Sequence, residues 1–408
     1  MKLIDGKALL LKLRNPSRVT STIPNSVQVN KHEVKVNLGI DEAHTLKTLG
    51  IKSPSPIETR YQWSGKHKPF AHQKTTAAFL TMNRKAFCFN EQGTGKTASA
   101  IWATDFLMQQ GKVRRALVIC PLSIMDSAWR GDLETFAPHR TVDVAHGTPI
   151  KRKAILGQGA DFVIINYDGV DIVRDEILNG KFDLIIVDEA THYKNAQSKR
   201  WKTLNKLITD KTWLWLMTGT PAAQSPLDAY GLAKLVDFTA VPRFFGSFRD
   251  MVMMKVTQFR WVVKDGASDL VHAILQPAIR FTKEECLDLP PMVYVKRKVE
   301  LTRQQLKYYQ LLKKRMTMTV DGDEITSVNA AVLMNKLLQI SCGAVYTDEG
   351  DTLEFDISHR YKVLREVIDE SSQKVLVFVP FKHAIDILTE KLRNDGIATE
   401  VIRGDVPV

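Results

Sequence analysis

"AFCFNEQGTGKTASAIWATDFLMQQG", residues 86–111, decides how this chain folds. A short apolar run from Ala86 to Phe89 breaks at Asn90 into a polar loop holding Gly93 and Gly95. A long apolar segment follows until Gly111 stops it, as a helix would. Strand, Gly-rich loop and helix in that order make a phosphate loop. The glycines let main-chain amides approach phosphate oxygens, and the helix N-terminus adds a favourable dipole. Lys96 is spaced to reach β- and γ-phosphates and the Thr97 hydroxyl to ligate Mg²⁺, with Gln92, Gly93, Thr94 and Gly95 shaping the cradle. Asn90 stands where the strict pattern has Gly. A bare Gly-rich turn is the alternative, and the flanking strand and helix argue against it.

Outward from this loop the alternation repeats. "ALVICP" (116–121), "VDVAHG" (142–147), "DFVIINY" (161–167), "LIIVDEA" (184–190) and "WLWLMTGTP" (213–221) read as strands, most of them continuously apolar, as strands covered on both faces are. Helix-length segments between them indicate an α/β fold with a doubly wound parallel sheet. In such sheets ligands sit at the carboxyl ends of the strands. That explains why Leu184–Val187 runs into Asp188 and Glu189: Asp188 is expected to hold Mg²⁺ and Glu189 to orient and deprotonate the attacking water. A zinc site from Asp188, Glu189 and His192 is the alternative, but no further ligands stand nearby. The Trp-rich "WLWLM" reads as strand core rather than as a base-stacking platform.

Before the first strand, "KLIDGKALLLKL" carries Asp5-Gly6 between apolar stretches and "VQVNKHEVKVNL" alternates about Asn30-Lys31, two hairpin signals. "SPSPIETRYQW" (53–63) is Pro- and Ser-rich and reads as a linker or exposed loop. Residues 238–300 lose the alternation. Thr302 to about Cys342 is amphipathic at helical spacing. From His359 the pattern resumes as helix, strand "KVLVFVP", helix, strand "ATEVIRG", too little sheet for a complete domain. The expected organisation is residues 1–65 as a β-hairpin region with linker, 66–237 as an ATPase lobe, 238–356 as a helical insertion or linker region, and 357–408 as the incomplete start of a second lobe.

The 408 residues are 44% hydrophobic and 25% charged, a globular composition, with a net charge of +12 that points to a polyanionic partner. Four scattered cysteines form neither a zinc pattern nor a disulfide framework. No signal sequence and no run of membrane-spanning length is present, so a cytoplasmic protein without a membrane partner is expected.

The motifs "NEQGTGKT", "LVICPLSIMDSAW", "DFVIINYD", "LIIVDEATHYKN" and "LMTGTPAAQSPLDAYGLAKLV" follow in order and resemble motifs I, Ia, Ic, II and III of the Swi/Snf-type ATPases of helicase superfamily two, in particular compact bacterial and bacteriophage members. The resemblance implies a RecA-like P-loop NTPase fold, ATP and Mg²⁺, and a motor on double-stranded DNA, with host cytoplasm as the compartment for a bacteriophage member. It also implies that Gln73 in "KPFAHQ" reads the adenine edge while Phe70 packs on the base. Pro121, Ser123, Asn166, Tyr167, Thr218 and Thr220 would line the DNA track, as hydroxyls and amides at strand ends suit phosphate contacts. Lys151-Arg152-Lys153, Lys296-Arg297-Lys298 and Lys313-Lys314-Arg315 would extend the track, although each cluster alone also reads as a solvated face. Thr191 stands where the family has His, and Gln224 and Ser225 occupy the region where Asn usually follows motif III. The family's motifs V and VI, with their γ-phosphate arginines, are not found before Val408, so a motor truncated in its second lobe is expected. A non-catalytic nucleotide- and DNA-binding half-motor and a strand-separating helicase are the alternatives.

Overall fold

The computed structural model describes residues 1–404 apart from 223, 259, 289, 321–326 and 347–351, with the backbone alone at 315–320 and 327–330. The chain divides into two units, Met1–Pro290 and Pro291–Val408.

The first unit opens with an antiparallel sheet of β1 (Lys2–Ile4), β2 (Ala8–Lys12), β3 (Val27–Asn30) and β4 (Glu33–Asn37), in the order β1-β2-β4-β3. Both expected hairpins form. Asp5 and Gly6 take positive φ of 48° and 66° in the first turn, a conformation suited to an Asp-Gly pair. Leu9, Leu11, Val34 and Val36 point to one side of this sheet and pack against Val19, Ala43 and Leu46.

The apolar runs become a parallel sheet of β5 (Lys85–Cys88), β6 (Ala116–Cys120), β7 (Val142–Val144), β8 (Phe162–Asn166), β9 (Leu184–Asp188) and β10 (Trp213–Met217). Beyond the hairpin β11 (Met253–Lys255) and β12 (Trp261–Val263) lies a further short strand, β13 (Ala278–Ile279), which pairs parallel to β5 and was not foreseen. The seven strands run in the order β13-β5-β10-β9-β6-β8-β7. Successive strand residues face opposite sides. Leu117, Val163, Ile185 and Leu214 therefore enter one core, and Val118, Ile164, Ile186 and Trp215 the other. Burial on both faces explains the unbroken apolar runs.

The sequence 53–63 is not a linker. Pro56–Arg60 is a helix with Ser55 as its cap, a Ser55/Glu58 capping box and Pro at its start. Ile57 and Tyr61 are buried. Pro and Ser here begin a helix rather than mark an exposed loop.

The stretch 238–356 is divided between the units at Pro290. In the second unit, helices Arg303–Val320 and Ser327–Cys342 precede the hairpin β14 (Ala344–Tyr346) and β15 (Thr352–Glu354), and helices Ser358–Glu370 and Lys382–Asn394 follow. "KVLVFVP" and "ATEVIRG", expected as strands, carry no strand pairing over the described residues. A strand needs a hydrogen-bonded neighbour, and a lone pair of short strands is marginal in water. Leu376 and Phe378 are consequently 79% and 91% exposed.

Candidate active site

Sheet order sets the site. β5 ends in the phosphate loop, β9 ends in Asp188-Glu189, and β10 between them ends at Thr218. The three carboxyl ends therefore lie side by side.

Gly93 and Gly95 take φ of 85° and 78°, in the left-handed region that a side chain disfavours. A Cβ at Gly95 would also run into the Gln73 side-chain amide, so the loop is a cradle that any side chain would fill. Lys96, at the first turn of helix Lys96–Gln109, is buried and donates from Nζ to the Glu91 carbonyl at 3.3 Å. Thr97 follows, half-buried. Gln73 is buried against the loop: its Oε1 accepts from Phe70 N at 3.0 Å and its Nε2 lies 3.4 Å from the Thr94 carbonyl. His72 Nε2 also donates to that carbonyl, at 2.8 Å. Phe70 is 59% exposed and its ring stacks on His72.

Asp188 is buried, and both carboxylate oxygens have protein donors: Trp129 Nε1 to Oδ2 at 2.9 Å and Glu189 N to Oδ1 at 3.0 Å. Burial raises its pKa, and those two hydrogen bonds oppose the shift. Glu189 takes a left-handed backbone, φ 47° and ψ 55°, a strained state for a non-glycine residue. The turn is braced from outside, since Tyr167 Oη donates to the Asp188 carbonyl at 2.6 Å. The Glu189 carboxylate accepts from Gln92 Nε2 and from Thr218 Oγ1, both at 3.4 Å. The acidic pair is thereby tied to the phosphate loop on one side and to the end of β10 on the other. Among the described residues Thr191 makes no side-chain hydrogen bond, and the link to β10 runs through Glu189 itself.

The expected DNA-track residues fall into two groups. Ser123 and Thr220 are exposed and Pro121 is half-buried. Thr218 and Tyr167 are buried, and Asn166 Oδ1 accepts from Arg152 Nη1 at 2.9 Å. Within Lys151-Arg152-Lys153, Arg152 is buried against the carbonyls of Ala145 and Gly147, and Lys153 pairs with Glu176. In the second unit Arg297 pairs with Glu366 and Glu370, and the side chain of Arg315 lies outside the described residues. Trp213 and Trp215 are strand core, as read from the sequence.

Sequence reasoning missed Trp129 and the segment after β13. Phe281 N donates to Asn90 Oδ1 at 3.0 Å, Glu91 N to the Phe281 carbonyl at 2.9 Å, and Lys283 N to Glu91 Oε2 at 3.1 Å. Arg280 lies 3.8 Å from Glu91, and the Lys283 side chain passes over Gly93. Arg280 and Lys283 are thus further cations beside the phosphate loop. "RFTKEEC" offers no periodicity or motif that would have announced them.

The residues present fit a nucleotide with Mg²⁺: a glycine cradle, a buried lysine, a hydroxyl and two carboxylates on one sheet edge. A family model described as the SNF2-related domain matches residues 72–344, more than half of the chain. The chain belongs to the SNF2-related family. Its fold is accordingly that of a Swi/Snf-type superfamily two ATPase core. This SNF2-related chain is 26% identical over 317 residues to putative protein p41 of Acyrthosiphon pisum secondary endosymbiont phage 1, covering 72% of this chain and 68% of that protein. It is 25% identical over 346 residues to the transcription regulatory protein SNF2 of Saccharomyces cerevisiae, covering 76% of this chain but only 20% of the yeast protein. Among solved structures, the Sulfolobus solfataricus SWI2/SNF2 ATPase core in complex with dsDNA matches with a TM-score of 0.50 at 20% identity, over 82% of this chain and 71% of that one. That likeness confirms the fold. No helix among the described residues is long and apolar enough to cross a membrane.

Proposed function

We propose that this chain hydrolyses ATP with Mg²⁺ and couples the hydrolysis to movement along double-stranded DNA. One observation carries the reading: the Glu189 carboxylate is shared between Gln92 of the phosphate loop and Thr218 at the end of β10. In this reading the loop amides and Lys96 hold the phosphates, Thr97 and Asp188 hold the metal, and Gln73 and Phe70 meet the adenine. Mg²⁺, when bound, supplies positive charge against the phosphate oxygens. Glu189 orients water and takes its proton at a carboxylate oxygen. Its ties to Gln92 and Thr218 make that carboxylate sensitive to both neighbouring loops.

The solvent-facing Ser123 and Thr220, with main-chain amides at the strand ends, are the groups we assign to DNA phosphates. Such contacts hold register without reading bases, which suits a motor that must move. The net charge of +12 and the solved Sulfolobus core with dsDNA support this partner, and the phage relative supports a host cytoplasm as its place of action.

The test is DNA binding across a salt series, with and without nucleotide. A log–log slope of several negative units, independent of sequence, is expected where several phosphates are neutralised. A shallow slope or a strong preference for one sequence would sink the motor reading in favour of a base-reading module.

A further inference from the structure

Trp129 is fully buried, and its indole N–H ends on the carboxylate assigned to the metal. A buried indole must find an acceptor, so the bond by itself could be ordinary packing. Three other buried tryptophans show what ordinary packing looks like. Trp102 donates to the Ser64 carbonyl at 2.9 Å, Trp201 to the Gly231 carbonyl at 2.8 Å and Trp215 to the Asn83 carbonyl at 3.1 Å. Trp129 donates to a carboxylate instead, a charge-assisted bond that fixes the plane of that group.

Its place in the chain adds direction. Trp129 lies in a wide π-helical turn, Met125–Arg130, and such turns concentrate at functional sites. Immediately before it, Leu122 is 55% exposed and Ser123 faces solvent. Ser127 then donates from its hydroxyl to the Ser123 carbonyl at 3.0 Å, joining the exposed stretch to the turn. One short segment therefore has its outer end where duplex is proposed to run and its inner end on Asp188.

We propose that Trp129 is a positioning residue through which duplex bound at Leu122–Ser127 sets the orientation of the Asp188 carboxylate, and so the affinity for metal and nucleotide. This rests on the reading of the site as a Mg²⁺–nucleotide site beside a DNA track. Coupling of this kind is reciprocal: if duplex changes nucleotide affinity, nucleotide changes duplex affinity by the same factor.

The experiment uses the full chain, a fluorescent ADP analogue, Mg²⁺ and a blunt DNA duplex. It compares wild type with Trp129→Phe, which keeps an aromatic ring and removes the donor. Trp102→Phe is the control for losing a buried indole hydrogen bond elsewhere. Wild type should bind the analogue with an affinity that duplex shifts by about fivefold or more. Trp129→Phe should need about fivefold more Mg²⁺ for half-maximal binding and lose the duplex shift, while binding duplex in the absence of nucleotide within about twofold of wild type. Trp102→Phe should follow wild type throughout. A Trp129→Phe protein with wild-type Mg²⁺ dependence and duplex shift overturns the proposal, as does equal loss in the two variants. Indole N–H resonances of labelled wild-type protein give a mutation-free readout: the Trp129 signal should move when duplex is added, and a static signal overturns the coupling. A wild type that binds no Mg²⁺–nucleotide overturns the site reading itself, a distinguishable outcome.

Discussion

The Lys96 ammonium and the Glu91 carbonyl are hydrogen-bonded at 3.3 Å within one loop, so the lysine is held over its own backbone, inside the glycine cradle. A bound phosphate competes with a neutral carbonyl for that ammonium, and the charged acceptor wins. Lys96→Ala should weaken nucleotide binding at least about tenfold, or ~1.4 kcal/mol. Titration calorimetry checks this, and unchanged affinity in a folded variant rules out the phosphate-loop assignment.

The two carboxylates should respond differently to amide substitution. Glu189→Gln keeps an oxygen for Gln92 or Thr218 and should fold normally and bind nucleotide, with hydrolysis down by about 10²–10⁴. Asp188→Asn turns an NH₂ group toward either Trp129 N–H or Glu189 N–H. The resulting donor–donor conflict should cost about 1–3 kcal/mol. Urea unfolding separates the two, and equal stability would contradict the paired-donor geometry at Asp188.

Asp105 is buried on helix Lys96–Gln109 and accepts from Arg140 Nε at 2.7 Å, Tyr61 Oη at 2.6 Å and His139 Nε2 at 2.9 Å. Asp105→Ala removes the nearer of two carboxylate partners of the largely buried Arg140, leaving Asp161 at 3.8 Å, and should destabilise by roughly 1–3 kcal/mol. It also releases Tyr61, so limited proteolysis should begin to cut near residues 53–63. A variant as stable and protease-resistant as wild type would show that the network is dispensable.

Alkaline pH should loosen the first unit. Burial pushes the Cys88 thiol from 9.0 to about 11, and the buried Cys120 thiol and the Tyr61 and Tyr167 hydroxyls also go up, chiefly through burial. Their folded-state values lie above the unfolded ones, so the unfolded chain releases protons first. Stability is therefore lost as pH rises from about 9 towards 11. Urea midpoints measured across that window should fall. In the native state the half-buried Cys286 should react with iodoacetamide well before Cys88 or Cys120.

Hydrogen exchange should separate the two apolar runs that look most alike on paper. Amides of Leu184–Asp188 are bonded to β6 and β10 and should exchange only with opening of the sheet. Those of residues 374–379 have no backbone partner among the described residues and should exchange rapidly. Comparable protection in the two segments would contradict the unpaired state of "KVLVFVP".

That comparison marks where sequence reading works. Runs such as Leu184–Val187 were legible because burial on both faces leaves a continuous apolar signature, and the Gly-rich loop because its chemistry is local. "KVLVFVP" carries the same signature, yet pairing depends on a neighbour that a run cannot announce. β13 was invisible for the opposite reason: two residues pair with β5, and nothing around them alternates. Trp129 and Asp105 were missed because their roles lie in which distant atom they touch. The Ser55-Pro56-Ile57-Glu58 cap was readable, and composition drew attention away from it.

The contacts of Phe281 with the phosphate loop span 191 residues of sequence. A ribosome releasing roughly 5–20 residues per second needs about 10–40 s to cover that distance. Throughout that interval β5, the oldest strand of the parallel sheet, has an unclaimed edge, and the loop after it lacks its outer wall. An unpaired edge also accepts strands from other chains. Until residue 281 has emerged, the first-made strand of the parallel sheet is therefore open to mispairing next to the loop it leads into.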